Sequence, residues 1–231
     1  MKKLALCVIS IVLAHGAFAA ETAQTVQTVQ TVRVDRNAAR FAAWDAEEAS
    51  NPAPAETVLF VGSSTFTFWD SVHSLMAPYA VRNRGFGGST MDSVLAHTNH
   101  FMRYRCTRVV VYEGENDMRR TNNTPSSFLA QCREFVAAMN AGGMQRDIYF
   151  MSIKTCPSRW NLFEKQSAAN ELLRIYAERT PRVHFCDINP VLLNDDYVPE
   201  PSLYKKDDVH LNEKGYALIA PIIKRALSGP E

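Results

Sequence analysis

The sequence predicts a three-layer α/β/α sandwich around a five-stranded parallel sheet, with a flavodoxin-like strand order. From residue 56 onward, short apolar and β-branched runs alternate with longer helical patterns, which is typical of strands joined by crossover helices. The connections are short, and glycine or proline marks many of them. Because parallel crossovers are right-handed, few topologies remain, and the flavodoxin-like order places all strand carboxyl ends on one edge.

The predicted elements alternate regularly along this part of the chain. The five strands are expected at residues 57–62, 79–83, 107–113, 147–153 and 182–187. The five helices are expected at residues 65–76, 90–103, 125–141, 161–179 and 212–227. The third helix has the clearest bounds, because Thr124 can cap its first turn and Gly142 can end it.

The first nineteen residues have the pattern of a secretory signal peptide. Lys2 and Lys3 precede an apolar run over residues 4–13, and Ala17-Phe18-Ala19 has the small-x-small form of a cleavage site. The apolar run is too short to cross a bilayer, which disfavours the alternative of a membrane anchor. We therefore expect export, to the periplasm or the medium, after cleavage near Ala19.

Residues 20–55 are expected to connect this peptide to a single domain over residues 56–231. The polar Thr-Val-Gln repeat over residues 25–32 predicts a flexible tether. A short amphipathic helix follows, on which Phe41 and Trp44 are expected to pack against the domain. Asn51-Pro52 marks the end of that helix, because proline cannot continue it.

Composition and charge exclude several classes of function. Apolar residues make up 46% of the chain and charged residues 21%, which is typical of a globular protein. Cleavage after Ala19 removes Lys2 and Lys3 and no acidic residue, so the formal charge changes from +1 to −1. This balance argues against binding to nucleic acid and against attraction to an anionic membrane. We expect no stable membrane insertion, and the oligomeric state is not predicted.

Four cysteines follow the signal peptide, and their spacing bears on disulfides and metals. Export makes disulfides plausible, and the expected pairs join chain neighbours, Cys106 with Cys132 and Cys156 with Cys186; the alternative is four buried thiols. No two cysteines have the close spacing of a zinc site. No metal or organic cofactor is expected.

Four polar clusters lie where strand carboxyl ends or their loops meet in this topology. Gly62-Ser63-Ser64 follows the first strand, and residues 83–89 and 113–117 follow the second and third. Residues 207–210, which read Asp-Asp-Val-His, precede the last helix. The clusters together supply a hydroxyl group, flexible glycines, a side-chain amide and a histidine with a nearby acid.

These residue types have the chemistry of a serine nucleophile. A serine hydroxyl needs a base to accept its proton, and the imidazole of His210 is a side chain suited to that role. Asp207, three residues earlier, can hold the far nitrogen of that imidazole. The Ser64 N–H, the Gly88 N–H and the Asn116 amide can donate to an oxyanion. The alternative is that Ser63 or Ser64 only caps a helix.

Together these clusters resemble the SGNH (GDSL-type) esterase/lipase superfamily over residues 36–228. By position, the resemblance assigns Ser64, Asp207 and His210 to a catalytic triad. It assigns Gly88 and Asn116, with the Ser64 N–H, to the oxyanion hole. The SGNH hydrolase fold is the expected architecture. The Gly-x-Ser-x-Gly motif of the α/β-hydrolase nucleophile elbow is missing.

The resemblance is closest to a bacterial subgroup that has Gly-Ser-Ser at the nucleophile block. Ser63 stands where the family name has Asp, as is common in that subgroup. Asp208 replaces a frequent glycine and makes the acid ambiguous, although position favours Asp207. The subgroup also has a Pro-Ser-Arg-Trp segment, so Arg159 and Trp160 are assigned either to the substrate pocket or to packing.

The resemblance implies a serine esterase that forms an acyl-enzyme. Export and an open site favour small or short acyl groups, including acetyl groups on carbohydrate, as small-molecule or glycan substrates. One alternative is an acyltransferase that uses the same triad. Another is a non-catalytic carbohydrate-binding relative, which is disfavoured because every triad member is present.

Overall fold

A computed structural model describes residues 36–229 of the chain. The chain divides into two compact units, Met1–Ala42 and Ala43–Glu231. The described residues of the first unit are the start of helix α1 (Ala38–Ser50). The second unit contains the sheet and all the features below. The expected signal peptide (1–19) and the repeat of the expected tether (25–32) lie outside the described residues.

The second unit is built on five parallel strands in the order β2-β1-β3-β4-β5. This order confirms the predicted fold class and the flavodoxin-like topology. The strands are β1 (Val58–Gly62), β2 (Val81–Gly85), β3 (Arg108–Tyr112), β4 (Asp147–Met151) and β5 (Val183–Cys186).

The strand register aligns the carboxyl ends of β1, β2 and β3, so the loops that follow them begin side by side. Gly62, the last residue of β1, lies opposite Gly85 of β2 and Tyr112 of β3. The three strands therefore end together, and the polar clusters that follow them emerge side by side. Every residue of β1 is buried, as expected for a central strand covered on both faces.

The helices vary in length more than the sequence predicts. The long ones are α7 (Pro125–Met139), α8 (Phe163–Glu178) and α9 (Glu213–Ser228). The short ones are α2 (Ser64–Thr67), α3 (Val72–Leu75), α4 (Met91–Ala96), α5 (Thr98–Phe101) and α6 (Glu115–Met118). Short 3-10 turns span Ala141–Gly143, Pro157–Leu162, Asn189–Val191 and Pro201–Leu203.

Helix α9 buries one apolar face on the sheet, and this face contributes to the core beneath the site. Tyr216, Ile219, Ile223 and Leu227 recur at helical spacing and are all buried. The Trp69 ring stacks on Tyr216 with centroids 4.9 Å apart. Burial of each such side chain stabilises the fold by about 1.5–3 kcal/mol.

Two predicted helices are each divided into two, so those predictions are wrong in detail. The helix expected over 65–76 is α2 and α3, separated after Phe68, because Trp69 turns into the core, where it is buried. The helix expected over 90–103 breaks at His97, which has non-helical backbone angles. At Trp69, core packing outweighs local propensity.

Strand β2 begins two residues later than predicted. The Tyr79 N–H donates to the Met76 carbonyl at 2.9 Å and closes a turn. Pairing with β1 starts only at Ala80, whose carbonyl accepts the Val58 N–H at 2.9 Å. The turn therefore occupies the first residues of the predicted strand.

Helix α1 is tied to β2 by charge within the second unit. Glu47 accepts hydrogen bonds from Arg82 at 2.6 Å and Arg84 at 2.8 Å. The Arg84 guanidinium also lies 5.3 Å from the centroid of the Trp44 ring, a cation–π geometry. These contacts join a helix on the chain's amino-terminal side to an edge strand.

The four cysteines within residues 36–229, Cys106, Cys132, Cys156 and Cys186, are buried free thiols, so the expected disulfides are wrong. Burial raises the pKa of Cys106 and Cys156 to about 11 and that of Cys186 to about 12. Buried cysteines of this kind pack as small apolar side chains. Proximity along the chain therefore did not predict whether these cysteines form disulfides.

Within residues 36–229, the structure contains no helix of the length and hydropathy needed to cross a bilayer.

Candidate active site

The turn after β1 positions Ser64. Ser63 is extended, and its N–H donates to the Tyr112 carbonyl of β3 at 3.1 Å. The Ser63 carbonyl accepts the N–H groups of Phe66 and Thr67 and so begins α2. The Ser63 side chain makes no capping hydrogen bond. Ser64 is the first residue of α2 and is half-buried at the carboxyl edge of the sheet.

The loop before α9 positions His210 and Asp207 together. Asp207 Oδ1 accepts the N–H groups of Val209 and His210 at 3.0 and 2.9 Å. The His210 carbonyl accepts the Lys205 N–H at 2.7 Å. These bonds hold the carboxylate and the imidazole on the same side of the loop.

Ser64, His210 and Asp207 form a continuous hydrogen-bonded line. His210 Nε2 lies 2.9 Å from Ser64 Oγ, and His210 Nδ1 lies 2.6 Å from Asp207 Oδ2. Burial opposes ionisation of Asp207, but hydrogen bonds from His210 outweigh it and hold the pKa of Asp207 below its usual range. An ionised carboxylate only accepts, so Nδ1 donates to it and Nε2 is left to accept from the Ser64 hydroxyl.

Asp208, the second candidate acid, lies differently. Its backbone is left-handed, with φ of +55°, and its side chain is exposed. Its carbonyl accepts the Ser158 N–H at 3.1 Å. The geometry therefore brings Asp207, and not Asp208, against the imidazole.

The three predicted oxyanion donors are the N–H groups of Ser64 and Gly88 and the side-chain amide of Asn116, and this assignment stays a prediction. The Ser64 N–H is at the first position of α2, where a helix has no carbonyl of its own to accept it. A Cβ on Gly87 would lie 3.8 Å from that of Ser64, and the next residue, Gly88, has φ of +78°, which favours glycine. Asn116 Nδ2 donates one hydrogen to the Ser89 carbonyl at 2.9 Å and retains a second.

Buried carboxyl groups hold the loop that contains Asn116. Asp117 accepts the N–H groups of Met91 at 3.0 Å and of Gly114 at 3.1 Å, as expected for a structural residue. The Ser89 hydroxyl donates to Glu113. Burial raises the pKa of Glu113 well above its usual range and that of Asp117 to about 6.

Arg159 and Trp160 lie in the 3-10 turn after β4. Arg159 Nη1 donates to Glu115 Oε1 at 2.7 Å, so the guanidinium is directed at a buried carboxylate. Trp160 is 36% exposed and packs on Phe163 with ring centroids 4.6 Å apart. Their assignment to a substrate pocket stays a prediction.

Sequence reasoning missed residues that contact the site from outside the four clusters. Phe68 is exposed and packs its ring edge-to-face on His210, with centroids 4.8 Å apart. Lys205 Nζ lies 5.1 Å from the centroid of the Phe68 ring. Phe68 falls in the first turn of the helix predicted over 65–76, where an aromatic residue gives no signal of a contact 142 positions away in the chain.

An open cleft of about 340 Å³ borders Gly88 and Asn116, two of the predicted oxyanion donors. It is lined by Gly88, Thr90, Asn116, Arg119 and Arg120. A larger cavity of about 650 Å³ lies along β5 and contains none of the residues of the hydrogen-bonded line. Within residues 36–229, no three His, Cys, Asp or Glu side chains cluster in a way that could hold a metal ion.

Solved structures with the same fold share little sequence with this chain. A protein from Streptococcus pneumonia has a TM-score of 0.73 at 16% identity, over 89% of this chain and 99% of that one. A GDSL-like lipase from Bacteroides thetaiotaomicron has a TM-score of 0.63 at 19% identity, over 81% and 97%. A carbohydrate esterase family 3 protein from Talaromyces cellulolyticus has a TM-score of 0.57 at 16% identity, over 74% and 96%. At these identities the likeness shows the fold alone.

Sequence comparison identifies the family. No curated protein sequence is significantly similar to this chain. The model of the GDSL-like lipase/acylhydrolase family matches residues 57–218, a span that includes β1 to β5 and the residues of the hydrogen-bonded line. The chain therefore belongs to the GDSL-like lipase/acylhydrolase family, a family of hydrolases.

Proposed function

We propose that this protein hydrolyses carboxylic esters with small acyl groups, through a Ser64–His210–Asp207 triad and an acyl-enzyme. The observation that supports this most is the line of hydrogen bonds from Ser64 Oγ through the imidazole to Asp207, at 2.9 and 2.6 Å. Each member occupies the position that its role requires.

In the first half of the reaction, Ser64 Oγ attacks the ester carbonyl carbon. His210 Nε2 accepts the hydroxyl proton as the new C–O bond forms, and the imidazolium is stabilised by Asp207. The tetrahedral intermediate then collapses. The bond to the alcohol breaks, His210 returns the proton to the leaving oxygen, and the acyl group stays on Ser64.

The oxyanion of the tetrahedral intermediate needs donors that are already in place. The Ser64 N–H, the Gly88 N–H and the second hydrogen of Asn116 Nδ2 would supply them. One such donor stabilises a transition state by about 3–4 kcal/mol. The bond from Asn116 to Ser89 orients that amide before substrate binds.

In the second half, water takes the place of the alcohol. His210 accepts a proton from the water as it attacks the acyl carbon, and the C–O bond to Ser64 then breaks. The carboxylic acid leaves and Ser64 recovers its proton. The Asp207 side chain is 48% exposed, so solvent water has ready access to this side of the site.

The cleft favours a small acyl group. Its volume of about 340 Å³ is open, and its lining includes Asn116, Arg119 and Arg120. A long acyl chain gains affinity only from apolar walls, at about 0.8 kcal/mol per buried methylene. Acetyl esters of carbohydrates fit an open, polar cleft, and the carbohydrate esterase from Talaromyces cellulolyticus has the same fold.

Transfer of the acyl group to a sugar hydroxyl, in place of water, uses the same residues. The open site favours hydrolysis, because the Asp207 side chain beside the imidazole of His210 is 48% exposed and water can approach there. A non-catalytic carbohydrate-binding role would leave the assembled triad without a purpose.

Hydrolysis of p-nitrophenyl acetate, butyrate and decanoate by the mature protein tests the proposal. We expect activity on acetate and butyrate, little on decanoate, and loss of activity in Ser64→Ala and His210→Ala. A preference for decanoate would contradict the small acyl group. Addition of a sugar acceptor, with products identified by mass spectrometry, separates transfer from hydrolysis.

A further inference from the structure

A buried charged cluster joins the segment that follows β4 to the end of β3 and the start of α6. Its members are Glu115, Lys154 and Arg159 together with the hydroxyl of Tyr112. Lys154 has no exposed side-chain surface, and Glu115 is 4% exposed. Burial of a lysine and a glutamate at this depth is rare unless they pair.

Glu115 is the acceptor at the centre of the cluster. Lys154 Nζ donates to Glu115 Oε2 at 2.7 Å, and the Tyr112 hydroxyl donates to the same oxygen at 2.8 Å. Arg159 Nη1 donates to Oε1 at 2.7 Å. Burial would raise the pKa of Glu115, but Lys154 and Arg159 outweigh it and hold that pKa below its usual range. Glu115 is therefore a carboxylate at neutral pH.

Lys154 also reaches the loop that contains His210. Its Nζ donates to the carbonyl of Val209 at 2.7 Å, one residue before His210. Two further hydrogen bonds join the same segments. The Ser158 N–H donates to the Asp208 carbonyl at 3.1 Å, and the Tyr204 hydroxyl donates to the Thr155 carbonyl at 2.6 Å. The Asp207–His210 loop is thus fastened to the segment after β4 at several points.

The same ammonium group therefore contacts both halves of the proposed machinery. Glu115 directly precedes Asn116, the oxyanion donor, and Val209 directly precedes His210, the base. Lys154 Nζ lies 2.7 Å from Glu115 Oε2 and 2.7 Å from the carbonyl oxygen of Val209. A shift of the His210 loop relative to α6 would break the bond from Lys154 to Glu115 or the bond from Lys154 to Val209. Loss of a hydrogen bond to a buried charged group is costly.

We propose that Lys154 and Glu115 are positioning residues that set the distance between the Asp207–His210 loop and the Asn116 loop. They touch neither substrate nor the reacting atoms, and they act through Val209 and Asn116. This inference rests on the proposed triad mechanism. A displacement of about 1 Å in a reacting group costs about 100-fold in rate, so their removal should lower kcat more than it alters KM.

The decisive variants are Lys154→Met, Glu115→Gln and the double variant. Each single variant leaves a buried charge with fewer partners, which destabilises the fold. The double variant removes the Lys154–Glu115 ion pair, and Arg159, which is 16% exposed, keeps the side-chain oxygen of the introduced glutamine as an acceptor. Replacement of a buried ion pair by neutral side chains is often close to neutral in stability. Its melting temperature should therefore recover toward that of the wild type. Its kcat should not recover, because the bond from Lys154 to Val209 is still missing.

Arg146 is a matched control, because it lies just before β4 whereas Lys154 lies just after it. It directly precedes β4, is buried, and donates to the carbonyls of Cys106 at 3.2 Å and Tyr104 at 2.9 Å. Arg146→Met removes a buried cation and its bonds to backbone carbonyls far from the carboxyl edge. It should lower the melting temperature and leave kcat within about twofold of the wild type.

The experiment measures kcat and KM on p-nitrophenyl acetate with the melting temperature of each variant, and includes Ser64→Ala. We expect the double variant to lose about 10- to 100-fold in kcat with KM within about threefold. A double variant with wild-type kcat would overturn the inference. The inference would also be overturned if kcat of Arg146→Met fell together with its melting temperature, because destabilisation alone would then explain a loss of kcat. Full activity in Ser64→Ala would instead refute the proposed function itself.

Discussion

At the scale of single residues, the choice between Asp207 and Asp208 shows what the sequence can and cannot decide. The sequence places two adjacent acids near His210, and spacing alone favours one of them. Both acids are exposed, and backbone geometry separates them, because Asp208 adopts a left-handed conformation with φ of +55°. Asp207 bonds the imidazole through Oδ2 and the loop N–H groups through Oδ1.

A pair of substitutions tests this assignment. Asp207→Asn should lower kcat by about 100- to 10,000-fold, because an amide no longer stabilises the imidazolium and can select the wrong tautomer. Asp208→Asn is the control, since asparagine tolerates the left-handed backbone, and its kcat should stay within about twofold of the wild type. Equal losses in steady-state kcat, or a greater loss in Asp208→Asn, would contradict the assignment.

At the scale of elements, the loop from Gly114 to Asp117 links stability to pH. Burial raises the pKa of Asp117 to about 6, against about 3.9 in an unfolded chain. A carboxyl group whose pKa is raised by folding stabilises fully below the unfolded value. That contribution is lost as pH rises through the folded value.

We therefore expect Asp117 to favour folding more strongly at pH 4 than at pH 7, by up to about 3 kcal/mol. Urea unfolding of the wild type and of Asp117→Asn across this range measures the difference. Asp117 is itself one of the groups that raise the pKa of Glu113, so the difference in slope reports Asp117 together with its effect on Glu113. Identical slopes in the two proteins would contradict the raised pKa.

The elements also show where pattern reasoning fails. Strands β1 and β3 are apolar runs with clear ends, and their predicted bounds agree with the structure to within one residue. The helix expected over 65–76 is divided because Trp69 packs against Phe60 and Tyr216. Tyr216 is far away in the sequence, so no local pattern predicts that break.

At the scale of the whole molecule, topology was predictable and the buried charge cluster was not. Alternating strands and helices with right-handed crossovers leave few strand orders, and four polar clusters then converge on one edge. Lys154 and Glu115 are 39 residues apart, and each alone is typical of a solvated surface. Only the fold brings them together in the interior.

The pairing of Cys106, Cys132, Cys156 and Cys186 is a second property of the whole molecule that the sequence predicted wrongly. Each is buried, so the folded protein, prepared without residues 1–19, should show almost no reaction with a thiol reagent in the absence of reductant. Unfolding should expose four thiols, because no disulfide consumes any of them. Titration with Ellman's reagent with and without denaturant measures both states. Two thiols or none after unfolding would mean that disulfides form.

The central claim is that Ser64 is the nucleophile, and covalent labelling tests it most directly. A fluorophosphonate should add once to the mature protein, and peptide mapping by mass spectrometry should place the adduct on Ser64. Labelling should be lost in Ser64→Ala and strongly slowed in His210→Ala, because the imidazole must accept the hydroxyl proton. An adduct on Ser63 or another residue, or undiminished labelling of Ser64→Ala, would contradict the account.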